Sequence, residues 1–186
     1  MGKNKPTMDR DLPNILITGT PGTGKSHIAK KLSEALDMQW IDVSKYAIEN
    51  GCIEESDDEY NCPVLDEDKL LDLMEPIMCQ GGKIVDYHCN ELFPERWFDI
   101  VFVLRTDNKI LYDRLVARGY SGKKLEDNVS CEIMQVILQE AQESYHHEIV
   151  HELDSNTLDQ ADTSVERILL WFNNWLKDNK KNEDNK

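Results

Sequence analysis

The chain has 186 residues, long enough for one domain with a substantial core, and carries 36 Asp and Glu against 21 Lys and Arg, a net charge of −15. A field of that sign opposes the phosphate neutralisation behind non-specific nucleic-acid binding, while favouring solubility and attraction of basic proteins. No apolar run reaches the roughly 18 residues of a membrane span, and the polar stretch Met1 to Asp11 lacks the apolar core of a secretory leader.

Ile15-Leu16-Ile17 predicts a buried parallel strand. It runs into Gly19-Thr20-Pro21-Gly22-Thr23-Gly24-Lys25-Ser26, a complete G-x-x-x-x-G-K-[ST] phosphate-binding loop. Ser26 to Leu36 follows, with Ile28, Ala29, Leu32, Ala35 and Leu36 at helical spacing. Strand, glycine loop and helix together are the context such a site needs. The glycines let backbone N–H groups wrap an anionic phosphate, and the helix N-terminus adds partial positive charge. Lys25 is placed to reach the β- and γ-phosphates of ATP, and the Ser26 hydroxyl to hold Mg²⁺.

Met38 to Val43 predicts a second strand, followed by a short helix capped by Ser44 and ended by Gly51. The charge run Glu54 to Glu59 predicts a solvated loop. Asp66 is set to cap a helix from Glu67 to about Gln80, which Gly81-Gly82 stops. Lys83 to Asp86 predicts a strand ending in an acid, and Phe98 to Leu104 a fully buried strand. Ile110 to Arg118 reads as helix, Gly119 to Lys124 as a mobile basic break, and Asp127 to about His147 as one long helix. Ile149 to Leu153 predicts the last strand. Thr163-Ser164-Val165-Glu166 matches a capping box opening a final amphipathic helix, with a disordered polar tail over 178–186. Helical stretches alternating with short apolar runs predict an α/β fold, a parallel sheet flanked by helices.

Several residues carry chemistry. Asp86, at a strand end beside the phosphate loop, is a candidate Mg²⁺ ligand with Ser26. His88 can contact phosphate, position a water or satisfy a buried hydrogen bond. Arg114 and Arg118 are four residues apart on one helix face, where they either clamp transferring phosphoryl oxygens or form a solvated face. The glycines just after them suit a lid that closes and excludes water. His147-Glu148-Ile149-Val150-His151 matches the H-E-x-x-H zinc pattern, but straddles a predicted helix end and strand start. The five cysteines, Cys52, Cys62, Cys79, Cys89 and Cys131, form no C-x-x-C pair, which argues against a disulfide framework or thiolate zinc site and fits a reducing intracellular setting.

The segments PNILITGTPGTGKS (Pro13 to Ser26), DEDKLLD (Asp66 to Asp72), IVDYH (Ile84 to His88), FPERW (Phe93 to Trp97), VFVLRTD (Val101 to Asp107), RLVARGY (Arg114 to Tyr120) and ESYHHEIV (Glu143 to Val150) span most of the chain in order. With them the chain resembles the adenylate kinase isoenzyme 6 family, small nuclear adenylate kinase/ATPases also called coilin-interacting nuclear ATPase proteins. The resemblance implies a P-loop nucleoside monophosphate kinase fold, with a monophosphate-binding segment at about 41–65 and a lid at about 117–127. It implies ATP held by Gly19, Gly22, Thr23, Gly24, Lys25, Ser26 and His27, with Arg118 reaching it from the lid, and AMP as acceptor. It further implies ATPase activity, a nuclear and cytoplasmic location, a monomer or weak dimer, and a part in maturing the small ribosomal subunit and its 18S rRNA through a basic ribosomal protein. Ile48 stands where related kinases carry a basic residue for the AMP phosphate, and Lys45 is the cation one turn earlier.

Overall fold

The computed structural model describes residues 10–57 and 62–183. Along the chain these form β1 (Ile15–Thr18), α1 (Lys25–Leu36), β2 (Gln39–Asp42), α2 (Val43–Glu49), β3 (Ile53–Asp57), β4 (Cys62–Leu65), α3 (Glu67–Met78), β5 (Lys83–Asp86), β6 (Ile100–Arg105), α4 (Asn108–Ala117), α5 (Gly122–Ile133), α6 (Val136–Ser144), β7 (Val150–Asp154) and α7 (Leu158–Glu183). Five strands make one parallel sheet in the order β2-β5-β1-β6-β7, and β3 pairs with β4 as a separate antiparallel hairpin.

The sheet is covered on both faces because its strands are apolar on both faces. Ile15 and Ile17 of β1, Ile84 of β5 and Ile100, Phe102 and Leu104 of β6 pack with Ile28 and Leu32 of α1 and Ile168 and Phe172 of α7. The alternate residues Leu16, Val85, Val101 and Val103 pack on the other side with Leu70 and Met74 of α3, Leu138 of α6, Trp97 and Phe98. A third, smaller cluster joins Leu111 and Leu115 of α4 to Leu125 of α5. β1 lies where the chain reverses its direction of travel across the sheet, so the loop after it opens at the switch point where α/β sheets bind ligands.

Several boundaries differ from expectation. Asp42, not Ser44, caps α2, accepting from the Lys45 N–H at 3.2 Å. The long helix expected over 127–147 is two helices, α5 and α6, broken at Gln135, whose φ is 58°. α5 already begins at Gly122, inside the expected break. α7 begins at Leu158, so Thr163 and Ser164 lie within it, and it continues to Glu183, where a disordered tail had been expected from 178. Glu54 to Asp57 belong to β3 rather than a loop, and Asp58 and Glu59 lie outside the described residues. No helix among the described residues is long and apolar enough to cross a membrane.

Candidate active site

The phosphate loop closes on itself through its own hydrogen bonds. Gly19 has φ 140°, and a Cβ there would sit 2.7 Å from the Leu104 carbonyl oxygen, so only glycine fits. Gly24 takes the N-cap of α1 with φ 99° and no side-chain cap, leaving the first N–H groups of α1 facing outward. The Thr20 carbonyl accepts from the Thr23 N–H at 3.2 Å and the Thr23 hydroxyl at 2.8 Å. Lys25 Nζ folds over the same turn, donating to Gly19 O at 2.8 Å and Thr20 O at 3.2 Å. The result is an anion cradle with a central ammonium.

Burial lowers the Lys25 pKa to about 8, with the Arg118 cation pulling the same way, while Asp86, Glu132 and Asp42 oppose it. The ammonium is therefore lost as pH rises through about 8 in the ligand-free protein. We predict that kcat/KM for ATP, which reports the free enzyme, falls above that pH, and that Lys25→Arg removes the fall. The check is a pH–rate profile between 6 and about 10 for both proteins; coincident profiles would assign the limb to another group.

Asp86 ends β5 and lies in register with Asp42 at the end of β2. Its side chain is buried, and Oδ2 has no hydrogen-bond partner. Burial raises its pKa and Asp42 adds to the rise, while the Ser26 hydroxyl and the Lys25 ammonium counter it. An unpartnered buried carboxylate oxygen beside a hydroxyl and a second carboxylate is a set of hard donors. That set fits Mg²⁺. The residues expected to hold the metal, Ser26 and Asp86, are thus together, and Asp42 joins them.

The cleft is open, about 500 Å³ in volume, and is lined by Gly22, Gly24, Lys25, Ser26, His27, Asp86, His88 and Arg118 from the expected set. Gly19 and Thr23 lie inside the loop rather than on its surface. His88 stands open to the cleft, tilted on Tyr87 at 4.5 Å between ring centroids. The protein packed behind it and the Lys25 charge lower its pKa to about 4, so the imidazole is neutral at pH 7. It faces a ligand as a hydrogen-bonding group rather than a cation.

Arg114 and Arg118 part company. Arg118 lines the cleft. Arg114 does not; its guanidinium donates to Gly22 O at 3.4 Å, Ser155 O at 2.9 Å and Asn156 O at 2.9 Å. It ties the loop to the β7–α7 turn, so its expected role as a phosphoryl clamp becomes one of holding the loop. Tyr120, Lys124 and Asn128 line the cleft beside Arg118, and Lys124 Nζ lies 5.0 Å from the centre of the Tyr120 ring. Lys45 is exposed and pairs with Glu49 at 3.7 Å, outside the cleft, while Ser44 lines it. His147 begins a 3-10 turn and His151 lies in β7, so the H-E-x-x-H pattern shares no helix face.

Two residues with no signature in the sequence also hold the loop. Ser155 donates its hydroxyl to Thr23 O at 2.6 Å. Glu132 of α5 is 2 % exposed, and its carboxylate accepts from the Thr20 hydroxyl at 2.6 Å, Arg105 Nε at 2.7 Å and the Thr106 N–H at 3.2 Å. Neither carries a local signal, since each acts across more than 100 residues of chain on the loop.

The chain matches the AAA domain family over residues 15–135. The Drosophila melanogaster protein named adenylate kinase isoenzyme 6 homolog is 49% identical over 165 residues, which cover 89% of this chain and 94% of that one. The Dictyostelium discoideum protein of the same name is 50% identical over 170 residues, covering 91% and 97%. Shikimate kinase from Acinetobacter baumannii shares the fold, with a TM-score of 0.57 at 17% identity over 85% of this chain and 91% of that one. A P-loop kinase fold, with its nucleotide loop at the switch point of a parallel sheet, and close relatives matched over nearly their full length place the chain in the adenylate kinase isoenzyme 6 family of nucleotide kinases.

Proposed function

We propose that the protein is a Mg²⁺-dependent adenylate kinase that moves the γ-phosphoryl group of ATP to AMP, with ATP hydrolysis alongside. The observation that carries this reading is the Lys25 ammonium, held over the loop by two backbone carbonyls and facing Asp86, His88 and Arg118 across one open cleft. In-line transfer needs positioned charge and no covalent enzyme intermediate. Lys25 binds the transferring oxygens and Arg118 offsets charge from the lid side. Neutral His88 orients the acceptor or a water by hydrogen bonding. Ser26 and Asp86, with Asp42 beside them, would hold Mg²⁺, which would neutralise phosphate charge.

A second reading starts from α2. Ile48 is 63% exposed and Lys45 is turned to Glu49, so α2 offers the cleft no cation for an AMP phosphate. Under this reading ATP hydrolysis switches the binding of a basic small-subunit ribosomal protein, and AMP phosphorylation is incidental. The net charge of −15 supports such a partner. Both readings place the protein in nucleus and cytoplasm, in small-subunit maturation.

Product analysis with Mg²⁺–ATP, with and without AMP, separates the two. The kinase reading expects AMP and ATP consumed one for one with little free phosphate. Dominant free phosphate, unchanged by AMP, would replace it with the ATPase switch.

A further inference from the structure

The phosphate loop hangs from the helix that lines the other side of the cleft. Lys124, Asn128 and Glu132 follow at four-residue intervals on α5, so they form one stripe. Lys124 and Asn128 line the cleft. Glu132, one turn further, turns into the protein and takes the Thr20 hydroxyl at 2.6 Å. Thr20 is the hub of the loop, since its carbonyl accepts from Thr23 and from Lys25 Nζ. The carboxylate is oriented independently by Arg105 at the end of β6 and by the Thr106 N–H. A buried carboxylate near a site for anionic phosphates repels them unless it is neutralised and holds something the site needs. Here Arg105 neutralises it, and what it holds is Thr20, whose carbonyl accepts from the lysine ammonium.

Resting on the nucleotide-binding reading above, we infer that Glu132 is a positioning residue for ATP: its bond to Thr20 fixes the loop in the phosphate-accepting shape and ties that shape to the placement of α5. Glu132 touches no phosphate in this role. A ligand drawn to Lys124 and Asn128 steadies α5, and α5 steadies the loop through Thr20.

The experiment is calorimetric titration of the full chain with Mg²⁺ and a non-hydrolysable ATP analogue, comparing wild type with Thr20→Val, Thr20→Ser, Glu132→Gln and the Thr20→Val/Glu132→Gln double variant. Thr20→Val removes the hydroxyl and leaves the Glu132–Arg105 pair in place. Its affinity is expected to fall about tenfold, the worth of one hydrogen bond to a charged group. Thr20→Ser restores the hydroxyl and with it the affinity. Glu132→Gln weakens the same contact and also loosens Arg105, so the coupling shows as a double variant that falls by clearly less than the product of the two single losses. Thr20→Val binding within about twofold of wild type, or a double variant that falls by the full product, would overturn the inference. The Thr20→Val and Thr20→Ser pair decides alone if Glu132→Gln does not fold. Wild type that binds while all variants match it defeats only this inference; wild type that fails to bind the analogue defeats the nucleotide reading and this one with it.

Discussion

Lys25→Met is expected to lower kcat/KM for ATP by about 10³-fold, the scale of removing a preorganised charge from a phosphoryl-transfer site. The side chain keeps its length and apolar stem and loses only the ammonium. Thr20 O, which the ammonium bonds at 3.2 Å, keeps its two bonds from Thr23, while Gly19 O, bonded at 2.8 Å, loses its ammonium partner. Such a loss costs about 1 kcal/mol, so folding is retained. The loop keeps its turn through Thr23 and its anchors through Ser155 and Arg114. The measurements are ATP turnover, nucleotide affinity and thermal melting of the same preparation. A folded variant with undiminished turnover would remove the loop as the reaction site. Turnover lost together with the melting transition would mean that Lys25 holds the loop rather than the substrate.

Asp86→Asn is expected to lower turnover by about 10²–10³-fold and to raise the Mg²⁺ concentration needed for half-maximal rate. The amide fills the same space at the end of β5 but offers no negative charge to a divalent ion. Affinity for metal-free ATP is expected to hold or improve, because a carboxylate facing the phosphates is gone. A second consequence follows from Lys25. Asp86 is the strongest influence raising the lysine pKa, so its loss lets burial carry that pKa further down. The fall in kcat/KM at alkaline pH then begins at lower pH than in wild type. A Mg²⁺ titration of rate, beside ATP binding in chelator, tests the first point and a pH–rate profile the second. An unchanged Mg²⁺ requirement would take Asp86 out of the metal site.

What was legible in the sequence was what a few consecutive residues encode. Gly19 to Ser26 fixes backbone conformation and chemistry within eight residues, and an apolar strand before it needs no partner to be recognised. Asp66 was found as a cap because the bond is local, and it accepts from the Lys69 N–H at 3.1 Å. α7 starts earlier than the Thr163 pattern predicts because two cap patterns compete. Thr157 accepts from the Gln160 N–H at 3.2 Å and Gln160 Oε1 accepts from the Asn156 N–H at 2.8 Å, six residues before the pattern at Thr163. The earlier cap won because it brings Ala161 onto the sheet with Val165 and Ile168. The break at Gln135 was missed because a left-handed glutamine costs about 1 kcal/mol and no local preference announces it. Arg114 looked like its neighbour Arg118 because periodicity places both on one face and cannot say that a distant turn reaches only the first. Glu132 and Ser155 had no pattern at all; their function is the carbonyl or hydroxyl they meet.

The parallel strands all point toward the cleft, so each helix that follows a strand returns to the opposite edge. α7 has 26 residues and is about 39 Å long, while the six residues of β6 span about 20 Å. Its packed residues end near Phe172 and Leu176, so its last turns project past the sheet on the side away from the cleft. Arg10 enters on that same side, against Trp97 O and Met78 O. A dye or surface attached at Arg10 or on the last described turns of α7 sits on the back of the molecule and leaves the nucleotide mouth facing solution.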